Sequence, residues 1–129
     1  LLVDDEEVST QILGMILEDA GFKVDSALTG AETLRKLKEK LYDLMLLDYK
    51  LPDVKGDDLA ADIQGMYPKT KIILLSGLAV DTMLGRGVKY AAVLLKPISP
   101  DEIIREINKA LNYTMIHHTF FLIQILRIL

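Results

Sequence analysis

Four short apolar runs constrain this chain most. Leu1-Leu2-Val3, Leu44-Met45-Leu46-Leu47, Ile72-Ile73-Leu74-Leu75 and Val93-Leu94-Leu95 are not interrupted by polar residues. Runs of this length without alternation suit strands of a parallel sheet, covered on both faces. Each run ends on a residue of different character. The first meets Asp4-Asp5, the second Asp48, the third Ser76 and the fourth Lys96-Pro97. In an open parallel sheet the carboxyl ends of the strands share one edge, and ligands bind there. Three carboxylates, a hydroxyl and an ammonium are therefore expected to meet at one small site.

Helical patterns fill the intervals between the runs. Val8, Ile12, Met15 and Ile16 recur at helical spacing, and Gly21 is placed to end that helix. A further strand is expected within residues 22–28. Thr29-Gly30-Ala31-Glu32 has the form of a capping box, and Leu34, Leu37 and Leu41 follow as an apolar face. Pro52 and Gly56 mark a loop after Asp48. Leu59, Ile63 and Met66 indicate a third helix stopped near Pro68. Residues 77–89 leave room for only a short fourth helix, because Gly85 and Gly87 disfavour one. Ser99-Pro100-Asp101-Glu102 combines an N-cap, a proline at the first helical position and a capping-box acid. Ile103, Ile107 and Leu111 then share one face of a fifth helix. Five strand–helix alternations predict an α/β fold, a doubly wound parallel five-stranded sheet with helices on both faces.

Length and charge narrow the function. The 129 residues suit one domain with a sizeable core. The formal net charge of −4, with no basic stripe, argues against direct nucleic-acid binding by this domain. There is no cysteine, which excludes disulfides and thiolate metal sites and fits a cytoplasmic protein. No signal peptide is visible. The first residue already reads as strand, so an upstream piece is expected to be missing.

The chemistry of the expected site follows from its residue types. Two like charges about 4 Å apart repel by roughly 4 kcal/mol at an effective dielectric near 20. Such a cluster raises a pKa or holds a cation. Oxygen ligands without histidine or cysteine favour Mg2+. Lys96 can neutralise the carboxylates or bind a phosphoryl oxygen, and Ser76 adds a donor. Asp4, Asp5 and Glu6 also have the bland reading of acids that cap the first helix.

These elements resemble the receiver domain of a two-component response regulator. The matching segments are Leu2-Val3-Asp4-Asp5-Glu6, Asp48-Tyr49-Lys50-Leu51-Pro52-Asp53-Val54-Lys55-Gly56, Leu74-Leu75-Ser76-Gly77 and Leu95-Lys96-Pro97. The resemblance spans residues 1 to about 112. It implies a flavodoxin-like (βα)5 fold with strand order 2-1-3-4-5. It also implies that Asp48 accepts a phosphoryl group from a sensor histidine kinase or phosphotransfer protein. Asp5, Asp48 and the Lys50 backbone carbonyl would ligate Mg2+, with Asp4 acting through water. Ser76 and Lys96 would hold phosphoryl oxygens. The domain would catalyse only its own phosphorylation and dephosphorylation and would not be an enzyme otherwise.

Three features depart from that pattern or extend beyond it. Val93 stands where the family often carries an aromatic switch residue, and Tyr90 is the nearest aromatic. Lys50 flanks the phosphoryl site and is either a modulator of phosphoaspartate lifetime or a solvated loop lysine. Residues 113–129 form an apolar C-terminal extension, expected to be helical. At about 24 Å, residues 114–129 as a helix would be too short to span a membrane. Homodimer contact is expected through this tail or through the face of the fourth and fifth helices. Two rival functions stay open: a receiver-like binding module that works without phosphorylation, and a phosphatase of the haloacid dehalogenase type. The latter typically needs an acid where Lys50 stands.

Overall fold

The computed structural model describes residues 1–77 and 87–111. The expected fourth helix lies largely outside the described residues, as does the extension over 113–129.

Five strands form one sheet in the order β2-β1-β3-β4-β5, all parallel. They are β1 (Leu2–Val3), β2 (Ser26–Ala27), β3 (Leu44–Asp48), β4 (Lys71–Ser76) and β5 (Ala92–Leu95). Four helices are described: α1 (Glu7–Asp19), α2 (Gly30–Glu39), α3 (Gly56–Met66) and α4 (Pro100–Leu111). Successive strand residues point to opposite faces, so each apolar run feeds two cores. Val3, Met45, Leu47, Ile72 and Leu74 join Leu37, Leu59 and Ile63 of α2 and α3. Leu2, Leu44, Leu46, Ile73 and Leu75 join Leu17, Ile103 and Ile107 of α1 and α4. The uninterrupted runs of β1, β3 and β4 are thus explained, since both faces of the sheet are covered there; the run in β5 departs from the expectation, because this edge strand is only partly covered and Leu95 is 55% exposed. Each fully buried Leu or Ile adds about 2 kcal/mol. The flavodoxin-like order expected from the resemblance is the order found.

The helix ends follow local chemistry. Gly21 has φ of +100° and its N–H donates to the Glu18 carbonyl, closing α1. Thr29 Oγ1 accepts from the Glu32 N–H at 3.0 Å, and Glu32 reaches back to the Leu28 N–H, also at 3.0 Å. Ser99 Oγ accepts from the Glu102 N–H at 3.2 Å at the start of α4.

Four readings of the pattern are corrected. Val8, Ile12 and Met15 of α1 do not face the core but are 69%, 55% and 67% exposed. The buried residues of α1 are Thr10, Gly14 and Leu17, with Leu13 packed beside them. Thr10 is tolerated inside because its hydroxyl donates to the Glu6 carbonyl at 2.7 Å. Leu41 is exposed, because α2 ends at Glu39 and the extended Lys40 breaks the helical spacing. Met66 is exposed at the last position of α3. The strand expected within 22–28 shrinks to Ser26–Ala27, with Phe22 and Val24 packing from the connection instead.

Candidate functional site

The parallel register brings four chain segments to one edge. Asp48 lies opposite Leu75, and Ser76 lies opposite Leu95. Asp4 directly follows β1, and Lys96 directly follows β5. Main-chain bonds lock these exits together: the Tyr49 N–H donates to the Leu75 carbonyl at 2.9 Å, and the Lys96 N–H to the Ser76 carbonyl at 2.7 Å.

Asp4, Asp5 and Asp48 each place a carboxylate oxygen within 4.8 Å of the others. Asp48 is 7% exposed and Ser76 2%. Lys96 Nζ stands 2.9 Å from Asp48 Oδ1. Among the described residues, three carboxylates face one ammonium at this edge. The electrostatics register the crowding. Burial raises the Asp4 carboxyl above its ordinary 3.8; a bond from the Glu6 N–H opposes this, and the charge of Asp48 adds to the rise. Burial pulls the Lys96 ammonium down, but the hydrogen bond and charge of Asp48 outweigh it and the net shift is upward. The donor set is all hard oxygen, which fits Mg2+.

The capping explanation of the acids is weak here. Glu6 is the N-cap of α1, and its side chain makes no capping bond. Asp4 Oδ1 accepts from the Glu6 N–H at 3.0 Å, ahead of the helix.

The loop after β3 is narrow at its base. Gly56 N–H donates to the Tyr49 carbonyl at 2.7 Å, and Lys50 pairs with Lys55 as an antiparallel bridge. A Cβ on Gly56 would come within 2.6 Å of Tyr49 Cα and 2.8 Å of the Asp48 carbonyl oxygen. Lys50 is exposed. At the tip, Asp53 accepts from the N–H groups of Gly30 at 2.8 Å and Ala31 at 2.9 Å. Those two bonds hold its carboxyl below its ordinary 3.8. No local sequence signal marks Asp53, because its partners lie 23 and 22 residues away.

Val93 and Tyr90 pack against the α2–α3 core. The Tyr90 hydroxyl is buried without a hydrogen-bond partner among the described residues. Burial, then the charges of Asp57 and Tyr49, push it up to about 12.

The response regulator receiver domain profile matches residues 1–108. The chain belongs to the response regulator receiver family. It is 30% identical over 112 residues to the chemotaxis protein CheY of Thermotoga maritima, covering 84% of this chain and 93% of that one. A CheY-like receiver domain from Methanospirillum hungatei superposes with a TM-score of 0.81 at 29% identity, covering 87% of this chain and 91% of the other. The response regulator TrrA of Thermotoga maritima, solved in complex with Mg2+-BeF, superposes with a TM-score of 0.76 at 28% identity, covering 84% and 95%. This receiver also spans 26% of a transcriptional regulatory protein and 14% of a sensor protein, both from Escherichia coli. Its membership gives the chain a role in two-component signalling. Among the described residues, no helix is long and apolar enough to cross a membrane.

Proposed function

We propose that this receiver is a phosphorylation-dependent switch in which Asp48 takes a phosphoryl group from a phosphohistidine of a sensor histidine kinase or phosphotransfer protein in the cytoplasm. One observation carries the reading: Asp4, Asp5 and Asp48 converge within 4.8 Å, with Lys96 Nζ 2.9 Å from Asp48. A carboxylate oxygen of Asp48 attacks phosphorus. The P–N bond breaks as the P–O bond forms, and the imidazole leaves with the electron pair and takes up a proton. Phosphoryl transfer depends on positioning and charge neutralisation more than on acid–base groups. Lys96 and Ser76 hold the phosphoryl oxygens. Asp5, Asp48 and the Lys50 carbonyl are the residues to hold Mg2+, with Asp4 acting through water; when bound, the cation neutralises charge on the transferring group. Attack of water on phosphorus later breaks the same P–O bond and returns the carboxylate and inorganic phosphate. Catalysis is confined to this cycle on the chain's own Asp48.

A protein donor needs a contact surface beside Asp48. The exposed Val8, Ile12 and Met15 support α1 in that role, since α1 begins two residues after Asp5. Ile12→Asp would then slow transfer from the kinase at least fivefold and leave transfer from acetyl phosphate unaltered.

Intact mass after incubation with acetyl phosphate and Mg2+, beside Asp48→Asn, tests the main reading. Gain of one phosphoryl group, lost in the variant and without Mg2+, supports it; no gain in the folded wild type overturns it. One observation favours the phosphorylation-independent module as the second reading: Val93, partly buried, stands where the family often has its aromatic switch. Lys50, exposed beside the site, is proposed to tune phosphoaspartate lifetime; an unchanged dephosphorylation rate in Lys50→Ala would refute this.

A further inference from the structure

We infer that Asp53 is a positioning residue for the cation site: through α2 it fixes the loop over residues 49–55, and with it the Lys50 carbonyl. The inference rests on the reading that this carbonyl ligates Mg2+.

Three observations carry it. The first is the hairpin itself. The Lys50–Lys55 bridge closes on only Leu51, Pro52, Asp53 and Val54, and the Gly56 N–H bond to the Tyr49 carbonyl seals the base. A loop this short moves as one piece, so a shift at its tip turns the peptide of Lys50. The second is the anchor. Asp53 Oδ1 and Oδ2 take the Gly30 and Ala31 N–H groups at 2.8 and 2.9 Å. Thr29 Oγ1 takes the third donor, the Glu32 N–H. The start of α2 is thus capped jointly by its own Thr29 and by a residue from the far loop, a carboxylate at the positive end of the helix. The third is contact. A Cβ on Gly30 would meet Val54 Cγ1 at 2.4 Å, so the loop tip rests directly on the helix backbone. Groups that orient a metal ligand without touching the metal commonly change affinity by tenfold or more.

Thr29 supplies the control, because it caps the same helix without holding the loop. The test measures Mg2+ dissociation constants by isothermal titration calorimetry, with thermal stability alongside, on the full chain. Wild type is compared with Asp53→Ala, Asp53→Asn and Thr29→Ala. Asp53→Ala is expected to weaken Mg2+ about tenfold. Asp53→Asn should fall between, since its amide oxygen can accept from one N–H but its NH2 cannot accept from the other. It also carries the test if Asp53→Ala does not fold. Thr29→Ala should lose stability yet bind Mg2+ like wild type. Unchanged Mg2+ affinity in both Asp53 variants overturns the inference alone. Equal weakening by Thr29→Ala does the same, since it would show that only the helix matters. A wild type that takes up no Mg2+ overturns the reading on which the inference rests and the inference with it.

Discussion

The carboxylates at the sheet edge and those at the start of α2 are the same chemical group in opposite circumstances. Asp53 and Glu32 are met by backbone N–H groups, and both titrate below their ordinary values. Asp4 is partly buried beside Asp48 and Asp5, accepts one N–H bond, and titrates above its ordinary value. The difference lies in burial and neighbouring charge: Asp4 is partly desolvated beside Asp48, whereas Asp53 has two N–H donors and Glu32 one N–H with Lys36 and Arg35 nearby. The chain satisfies its acids where they hold the fold and leaves them crowded at the edge where a cation and a phosphoryl group are proposed to bind.

Replacing the most buried member of the crowded set should produce the largest effect. Asp48→Asn should abolish the proposed phosphoryl uptake, and it should raise stability without Mg2+ by about 1 kcal/mol. Two repulsions within 4.8 Å slightly outweigh one attraction at 2.9 Å. Urea unfolding in a chelator checks this, and a less stable variant would break the comparison. Mg2+ sharpens it from the other side. At a hundredfold excess over its dissociation constant, the cation should stabilise wild type by about 2.7 kcal/mol and Asp5→Asn by clearly less, read from thermal unfolding with and without Mg2+.

Acid titration should separate the two regions by sign. Asp53 is depressed below 3.8, so its contribution is present above that pH and lost as pH falls through its folded value. Asp4 is raised above 3.8, so the folded chain holds its proton more firmly; that contribution is present in acid and lost as pH rises through its folded value. Without Mg2+, Asp53→Asn should flatten the fall in stability below 3.8, and Asp4→Asn the fall above it; matching profiles would erase the distinction. The smallest effect concerns Tyr90, whose hydroxyl meets neither donor nor acceptor among the described residues. Tyr90→Phe should be neutral or up to about 1 kcal/mol more stable by chemical denaturation, because its buried hydroxyl has no partner to lose among the described residues.

What the sequence disclosed depended on the range of each interaction. Strands β3 and β4 were legible because both faces of a parallel sheet are dry, and the site because parallel strands deliver their ends to one edge. The α2 and α4 caps were legible because Thr29–Glu32 and Ser99–Glu102 act within one turn. The buried face of α1 was not. Periodicity finds an apolar stripe but cannot say whether the protein or the solvent receives it, and here Gly14 and Thr10, whose hydroxyl donates to the Glu6 carbonyl, are the buried positions. Asp53 was illegible for a different reason: nothing near it in the chain announces a helix that begins 23 residues earlier.

Gly56 carries a consequence at the level of the codon. Every missense change one nucleotide from a glycine codon installs a residue with a Cβ, and any Cβ at this position presses on Tyr49 and on the carbonyl of Asp48. The gene therefore has no single-step missense neighbour at this site that leaves the main chain of Asp48 and Tyr49 where it is.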